Sequence, residues 1–210
     1  MRELFLTSSV HAVAHDIAKR VDLENRRALV FIDTAAEVER GDKTWLKDER
    51  QALVDAGFTV SDYSITDKSH EQLEDDLCNY DVLYLSGGNT AYLLYQSQKT
   101  GFLSLVKELV GNRDKIYIGT SAGSIIAGPR LSDYDSDERP ELENRECYGF
   151  VNVTIAPHWG SEHFRERYLG KRLKAVYNKD QVTLLLLTDY QYVHVRDDQM
   201  SVIDTHISSS

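Results

Sequence analysis

Short, continuous apolar runs alternate with helical patterns along most of this chain, and that alternation limits its fold more than any other feature. The runs Leu4–Thr7, Ala28–Asp33, Val82–Ser86 and Ile116–Gly119 lack the in–out alternation of a half-exposed strand. Continuous apolar strands are those covered on both faces, as in parallel sheets. Another strand is expected at Thr59–Ser64, and helical patterns over Val10–Val21, Lys43–Ala56, His70–Cys78, Thr90–Gln98 and Phe102–Val110 separate the runs. Such alternation implies right-handed crossovers and an open, doubly wound α/β sheet. Farther along, strands are expected at Val153–Ala156, Thr183–Leu187, Tyr192–Val195 and Ser201–Asp204, with helices at Ser124–Ala127 and Glu162–Asn178. The last three strands are joined by short polar turns such as Arg196-Asp197-Asp198-Gln199, which predicts an antiparallel hairpin at a sheet edge. At 210 residues the chain is expected to form one α/β domain spanning 1–210.

Charge and composition narrow the partners. The net charge of −10 argues against nucleic acid, which would call for a basic stripe, and against anionic membranes. No apolar run approaches the length of a membrane span, and the N-terminal segment lacks the core and cleavage site of a signal peptide. Cys78 and Cys147 are too few for a disulfide framework and have no metal-site spacing, so a cytoplasmic setting is expected. His11 and His15 are four apart on a helix, but no third ligand accompanies them, and no metal is expected.

Chemistry enters at Gly119-Thr120-Ser121-Ala122-Gly123, a Gly-x-Ser-x-Gly pentad set between an apolar strand and a helix. A tight strand-to-helix turn lifts a serine hydroxyl clear of the backbone and needs small neighbours. A serine hydroxyl attacks only when a base takes its proton. His158, directly after the predicted strand Val153–Ala156, is the candidate base, with His163 its competitor. In an open parallel sheet the carboxyl ends of the strands gather where ligands bind, and Ser121 and His158 both fall at such ends. Acyl transfer also needs backbone donors for the oxyanion. The Ala122 N–H is one. The loop Leu85-Ser86-Gly87-Gly88-Asn89-Thr90, again between strand and helix, is the source of a second. Asn89 and Thr90 there are candidates for capping the next helix or for contacting substrate.

The acid that orients the imidazole is sought in the irregular stretch Pro129–Gly149, between serine and histidine. Asp135 is the first choice, with Asp133, Asp137 and Glu138 as alternatives. An esterase of the α/β-hydrolase fold shares the pentad and the residue order, but that fold places more elements between serine and histidine. A binding module that kept the fold without the chemistry is the non-enzymatic alternative.

Together, Ser86-Gly87-Gly88-Asn89-Thr90, Gly119-Thr120-Ser121-Ala122-Gly123 and Pro157-His158 resemble the aspartyl dipeptidase (peptidase E) family of serine peptidases, which includes the cyanophycinases. The likeness runs from Leu4-Phe5-Leu6-Thr7-Ser8-Ser9 through Phe31-Ile32-Asp33-Thr34-Ala35 to the C-terminal hairpin. It implies a flavodoxin-like three-layer sandwich akin to the class I glutamine amidotransferase domain. It implies Ser121 as nucleophile, His158 as base, Gly88 and Ala122 as oxyanion donors, and an Asp or Glu in the loop after the nucleophile helix. It implies no cofactor, and a small peptide as substrate, such as a dipeptide with N-terminal aspartate; a monomer or homodimer is expected. Thr120 stands where enteric aspartyl dipeptidases have Trp. An aspartyl substrate calls for a local cation, and Arg165, Arg167, Lys171 and Arg172 are the candidates.

Overall fold

A computed structural model describes residues 2–132, 142, 144–173 and 183–206, and of residues 167, 171 and 172 the backbone alone. Its main sheet has seven strands: β1 (Glu3–Thr7), β2 (Ala28–Ile32), β3 (Thr59–Tyr63), β4 (Val82–Leu85), β5 (Ile116–Thr120), β8 (Gln191–Arg196) and β9 (Gln199–Asp204). Their order is β3-β2-β4-β5-β1-β8-β9. The first five are parallel; β8 runs antiparallel to β1, and β9 to β8. The expected α/β class, mostly parallel flavodoxin-like sheet and C-terminal antiparallel hairpin are all present.

The continuous apolar runs are explained by the two layers they serve. Phe5, Leu29, Phe31, Tyr84 and Ile118 pack with the helices α1 (Val10–Ala18) and α2 (Thr44–Asp55). Leu4, Leu6, Val30, Leu83 and Tyr117 pack with α3 (His70–Leu77), α4 (Thr90–Lys99), α5 (Phe102–Asn112) and α6 (Ala122–Ile125). Period-two side-chain direction sends alternate residues to opposite layers, so both sets must be apolar. All five residues of β5 are buried, and each large side chain so covered contributes about 1.5–3 kcal/mol. No helix among the described residues is long and apolar enough to cross a membrane.

Two expectations change. Thr183–Leu187 was expected to run on into the edge hairpin. Instead β7 (Leu184–Leu186) pairs in parallel with β6 (Thr154–Ala156) in a separate two-stranded sheet. A parallel partner needs a long crossover, and the chain between β6 and β7 provides one. The expected continuous helix over Glu162–Asn178 is broken. A 3-10 turn at Glu162–Phe164 leads into a wider π-type turn at Glu166–Arg172, and residues 174–182 lie outside the description.

Candidate active site

Ser121 follows β5 directly and sits at the N-cap of α6 with φ 48° and ψ −103°, while its hydroxyl does not cap the helix. An L-residue held there is strained by about 1–3 kcal/mol, and such strain persists only where the surroundings enforce it. They do so here. The Ser121 N–H donates to Thr7 O at 3.0 Å, and the Ser124 hydroxyl lies 2.7 Å from Thr7 O and 2.8 Å from Gly119 O. The two glycines of the pentad are steric necessities. A Cβ on Gly119 would lie 2.5 Å from Gly123 O, and one on Gly123 would lie 2.3 Å from Leu85 O. The turn thus closes against β1, β4 and its own first helical turn.

His158 arrives from β6 and is anchored one residue away. Its N–H donates to the Ser8 hydroxyl at 3.0 Å, and that hydroxyl donates to Leu187 O at 2.8 Å. Thr7 and Ser8, consecutive at the end of β1, therefore hold the serine and the histidine by their backbones. The imidazole is 16% exposed and stacks on Phe164, with ring centroids 4.4 Å apart and planes 12° from parallel. Its Nδ1 lies 2.6 Å from Asp189 Oδ1. A carboxylate at Nδ1 favours the tautomer with the proton on that nitrogen, which leaves the Nε2 lone pair as the proton acceptor.

Asp189 was not among the carboxylates weighed from the sequence. Asp135, Asp133, Asp137 and Glu138 all lie outside the described residues. Asp189 follows β7, in a turn held by the Gln191 N–H to Thr188 O at 3.1 Å and by the Thr205 N–H to Tyr190 O at 3.0 Å. Ala156 pairs with Leu186 in the small parallel sheet. His158 and Asp189 thus project just past the carboxyl ends of neighbouring parallel strands. The signal was present in the sequence as an acid just after a predicted strand, and the search for the acid between serine and histidine passed over it.

Ser121, His158, Gly87 and Gly88 line one cleft of about 600 Å3 at the carboxyl edge of the sheet. Gly88 has φ 129°, and a Cβ there would lie 2.2 Å from Ala35 O, so only glycine fits. Of the two roles expected for Asn89 and Thr90, capping is seen at Asn89. Its Oδ1 accepts from the Tyr92 N–H at 2.8 Å and caps α4, and neither Asn89 nor Thr90 is among the described residues lining the cleft. His163 lines the cleft, but its ring meets Phe164 edge-on, at 4.9 Å and 88°.

Three carboxyl groups, Glu39, Asp48 and Glu49, also face the cleft. Glu49 is only 7% exposed, and burial pushes its carboxyl up to about 8, against bonds from the Tyr84 hydroxyl and the Gly87 N–H that favour the ionised form. Arg165 lies in an adjoining cavity of about 250 Å3 that shares His158, and its guanidinium is 3.3 Å from Glu162. The side chains of Arg167, Lys171 and Arg172 are outside the description. Among the described residues no three His, Cys, Asp or Glu side chains cluster as metal ligands.

The profile of peptidase family S51 matches residues 4–203. An uncharacterized peptidase of Pasteurella multocida (strain Pm70) is 32% identical over 174 residues, covering 79% of this chain and 81% of the relative. An uncharacterized peptidase of Listeria innocua is 27% identical over 204 residues, covering 95% of each chain. A solved structure from Listeria monocytogenes EGD-e, described as a candidate peptidase E protein, superposes with a TM-score of 0.85 at 25% identity, covering 97% of this chain and 98% of that one.

Proposed function

The chain belongs to peptidase family S51, and from that premise we propose that it is a serine exopeptidase that hydrolyses short peptides through an acyl-enzyme on Ser121. The observation that carries this reading is the 2.6 Å contact between His158 Nδ1 and Asp189, with Ser121 held in its strained turn on the same cleft. His158 Nε2 takes the Ser121 proton as the hydroxyl oxygen attacks the scissile carbonyl. Asp189 keeps the imidazole oriented and stabilises the imidazolium. The N–H groups of Gly88 and Ala122 receive the oxyanion. Collapse of the tetrahedral species expels the amine, which takes its proton from His158. Water activated by the same imidazole then releases the acid.

Exopeptidase action needs a feature that reads a free terminus. Glu39 and Asp48 on the cleft wall suit the α-ammonium of a short peptide. The family resemblance points to dipeptides with N-terminal aspartate; the β-carboxylate of such a substrate would be met by Arg165 from the adjoining cavity.

The test is a panel of dipeptides that includes Asp-Leu and Ala-Leu, each with its N-acetyl counterpart. The panel is run on the parent enzyme and on S121A, beside labelling by a fluorophosphonate. Expected are hydrolysis of free but not acetylated peptides, labelling at Ser121, and loss of about 10^4-fold or more in S121A. Activity that survives the loss of the hydroxyl would refute the mechanism. Equal cleavage of acetylated peptides would refute the exopeptidase assignment.

A further inference from the structure

Glu49 stands out as a titratable group that the triad leaves unused. It lies on α2, away from all three triad residues in sequence, and is 7% exposed, yet it reaches the cleft. A carboxyl group buried to that extent costs stability, and replacing one by an apolar side chain is often neutral or favourable. Its position beside the oxyanion loop supplies a reason for its presence.

We propose that Glu49 is a positioning residue whose carboxyl group fixes Gly87, and through it the direction of the Gly88 N–H, relative to Ser121. This rests on the serine peptidase reading above. Gly87 lies against the Glu49 carboxyl group, and its N–H favours the ionised form of that group. The Gly87 carbonyl accepts from the Ser86 hydroxyl at 2.9 Å. The residue is thus contacted on both sides, which restrains the peptide plane that carries the Gly88 N–H. Contact with the nucleophile is close. A Cβ placed on Gly87 would be 3.5 Å from Ser121 Cβ and 3.7 Å from Glu49 Oε1, so Gly87 fills the space between the two side chains.

The same carboxyl group also reaches the nucleophile turn. Its Oε2 accepts from the Tyr84 hydroxyl at 2.7 Å. That hydroxyl also faces Thr120, the residue before Ser121, whose side chain favours its ionised form. The Thr120 hydroxyl in turn lies 2.8 Å from that of Thr7, whose carbonyl receives the Ser121 N–H. One side chain therefore adjoins the oxyanion loop at Gly87 and reaches the elbow through Tyr84. Rigid mutual placement of donor and nucleophile is what makes an oxyanion hole effective, because donors that must reorient during the reaction lose most of their benefit. The burial that raises this carboxyl also favours its neutral form, which opposes a developing oxyanion less than a carboxylate would.

The test measures kcat and KM for the best peptide of the panel, the fluorophosphonate labelling rate, and the thermal midpoint. The variants are E49L, E49D and E49Q, with S121A as reference. E49L removes the Tyr84 bond and the polar contact with Gly87, and E49D withdraws the carboxyl group by one methylene. Each is expected to lower kcat and the labelling rate by about 10–100-fold, somewhat less than outright loss of an oxyanion donor. KM should stay within about three-fold, because uniform substrate binding is untouched. E49Q keeps an acceptor for the Gly87 N–H and a donor for the Tyr84 oxygen, and should recover to within about five-fold of the parent. Should E49L fail to fold, E49D carries the test. A folded E49L or E49D with unchanged kcat would overturn the inference while leaving the triad intact. A loss confined to KM would overturn it too, since it would make Glu49 a substrate contact. An active S121A would instead remove the premise.

Discussion

Glu49 makes stability depend on pH in a direction opposite to that of ion-paired carboxylates, whose titration is lowered in the folded state. Its carboxyl ordinarily titrates at 4.5 and is pushed up to about 8 by burial. The folded state therefore holds a proton that the unfolded chain has released. Stability from this group is full below about pH 4.5, falls as pH rises towards about 8, and is level above that. At about 1.36 kcal/mol per pH unit, the gap between 4.5 and about 8 amounts to about 5 kcal/mol. That is a large share of a typical domain stability of about 5–15 kcal/mol. Urea unfolding of the parent and of E49Q between pH 5 and 9 measures it. Other titrating groups are common to both proteins and cancel in the difference. E49Q should gain on the parent steadily from pH 5 to about pH 8, ending about 4 kcal/mol higher relative to its pH 5 value, or about 1.5 M in midpoint for a denaturant slope of about 2–3 kcal/mol/M. A difference that is flat across this range, or one that narrows with rising pH, would refute the claim that Glu49 is buried and protonated.

Three further outcomes follow from the site. D189N should lower kcat by about 10^2–10^4-fold through loss of the correct imidazole tautomer, whereas D135N should stay within a few-fold; steady-state kinetics with the reverse ranking would return the acid to the loop. Gly123→Ala places a methyl 2.3 Å from Leu85 O, and chemical denaturation should show a loss of about 3 kcal/mol or more. Joint replacement E39Q/D48N removes two carboxylates from the cleft wall and should raise KM for free-amine dipeptides about ten-fold with little change in kcat, an effect that salt should mimic in the parent.

The main sheet could be read from the sequence because its strands are determined locally. Leu4, Phe5 and Leu6 must be apolar together only if both faces are covered, and β1 lies between β5 and β8 with layers on either side. The pentad could be read for a similar reason. Gly119 answers to a clash with the Gly123 carbonyl four residues away, so its need is written within the pentad, whereas that of Gly123 comes from Leu85 O on β4. The helix after His158 was misjudged because apolar periodicity does not distinguish an α-helix from the wider turn found at Glu166–Arg172.

Asp189 and Glu49 eluded the sequence reading for a different physical reason. Each reaches the site through pairing or packing between elements remote in the chain. Asp189 meets His158 only because β7 leaves the hairpin to lie parallel to β6, and nothing in Leu184–Leu186 itself distinguishes the two pairings. Glu49 occupies a position on α2 that looks like any surface carboxylate until α2 is laid against β4, where Tyr84 and Gly87 receive it. Strand ends supply a usable rule even so. Ser121, His158, Gly87 and Asp189 each stand within three residues of a strand's carboxyl end. Polar residues in those positions are where an open parallel sheet concentrates chemistry. By that rule Asp189, two residues past the apolar run Thr183–Leu187, is a candidate on the same footing as His158, two residues past Val153–Ala156.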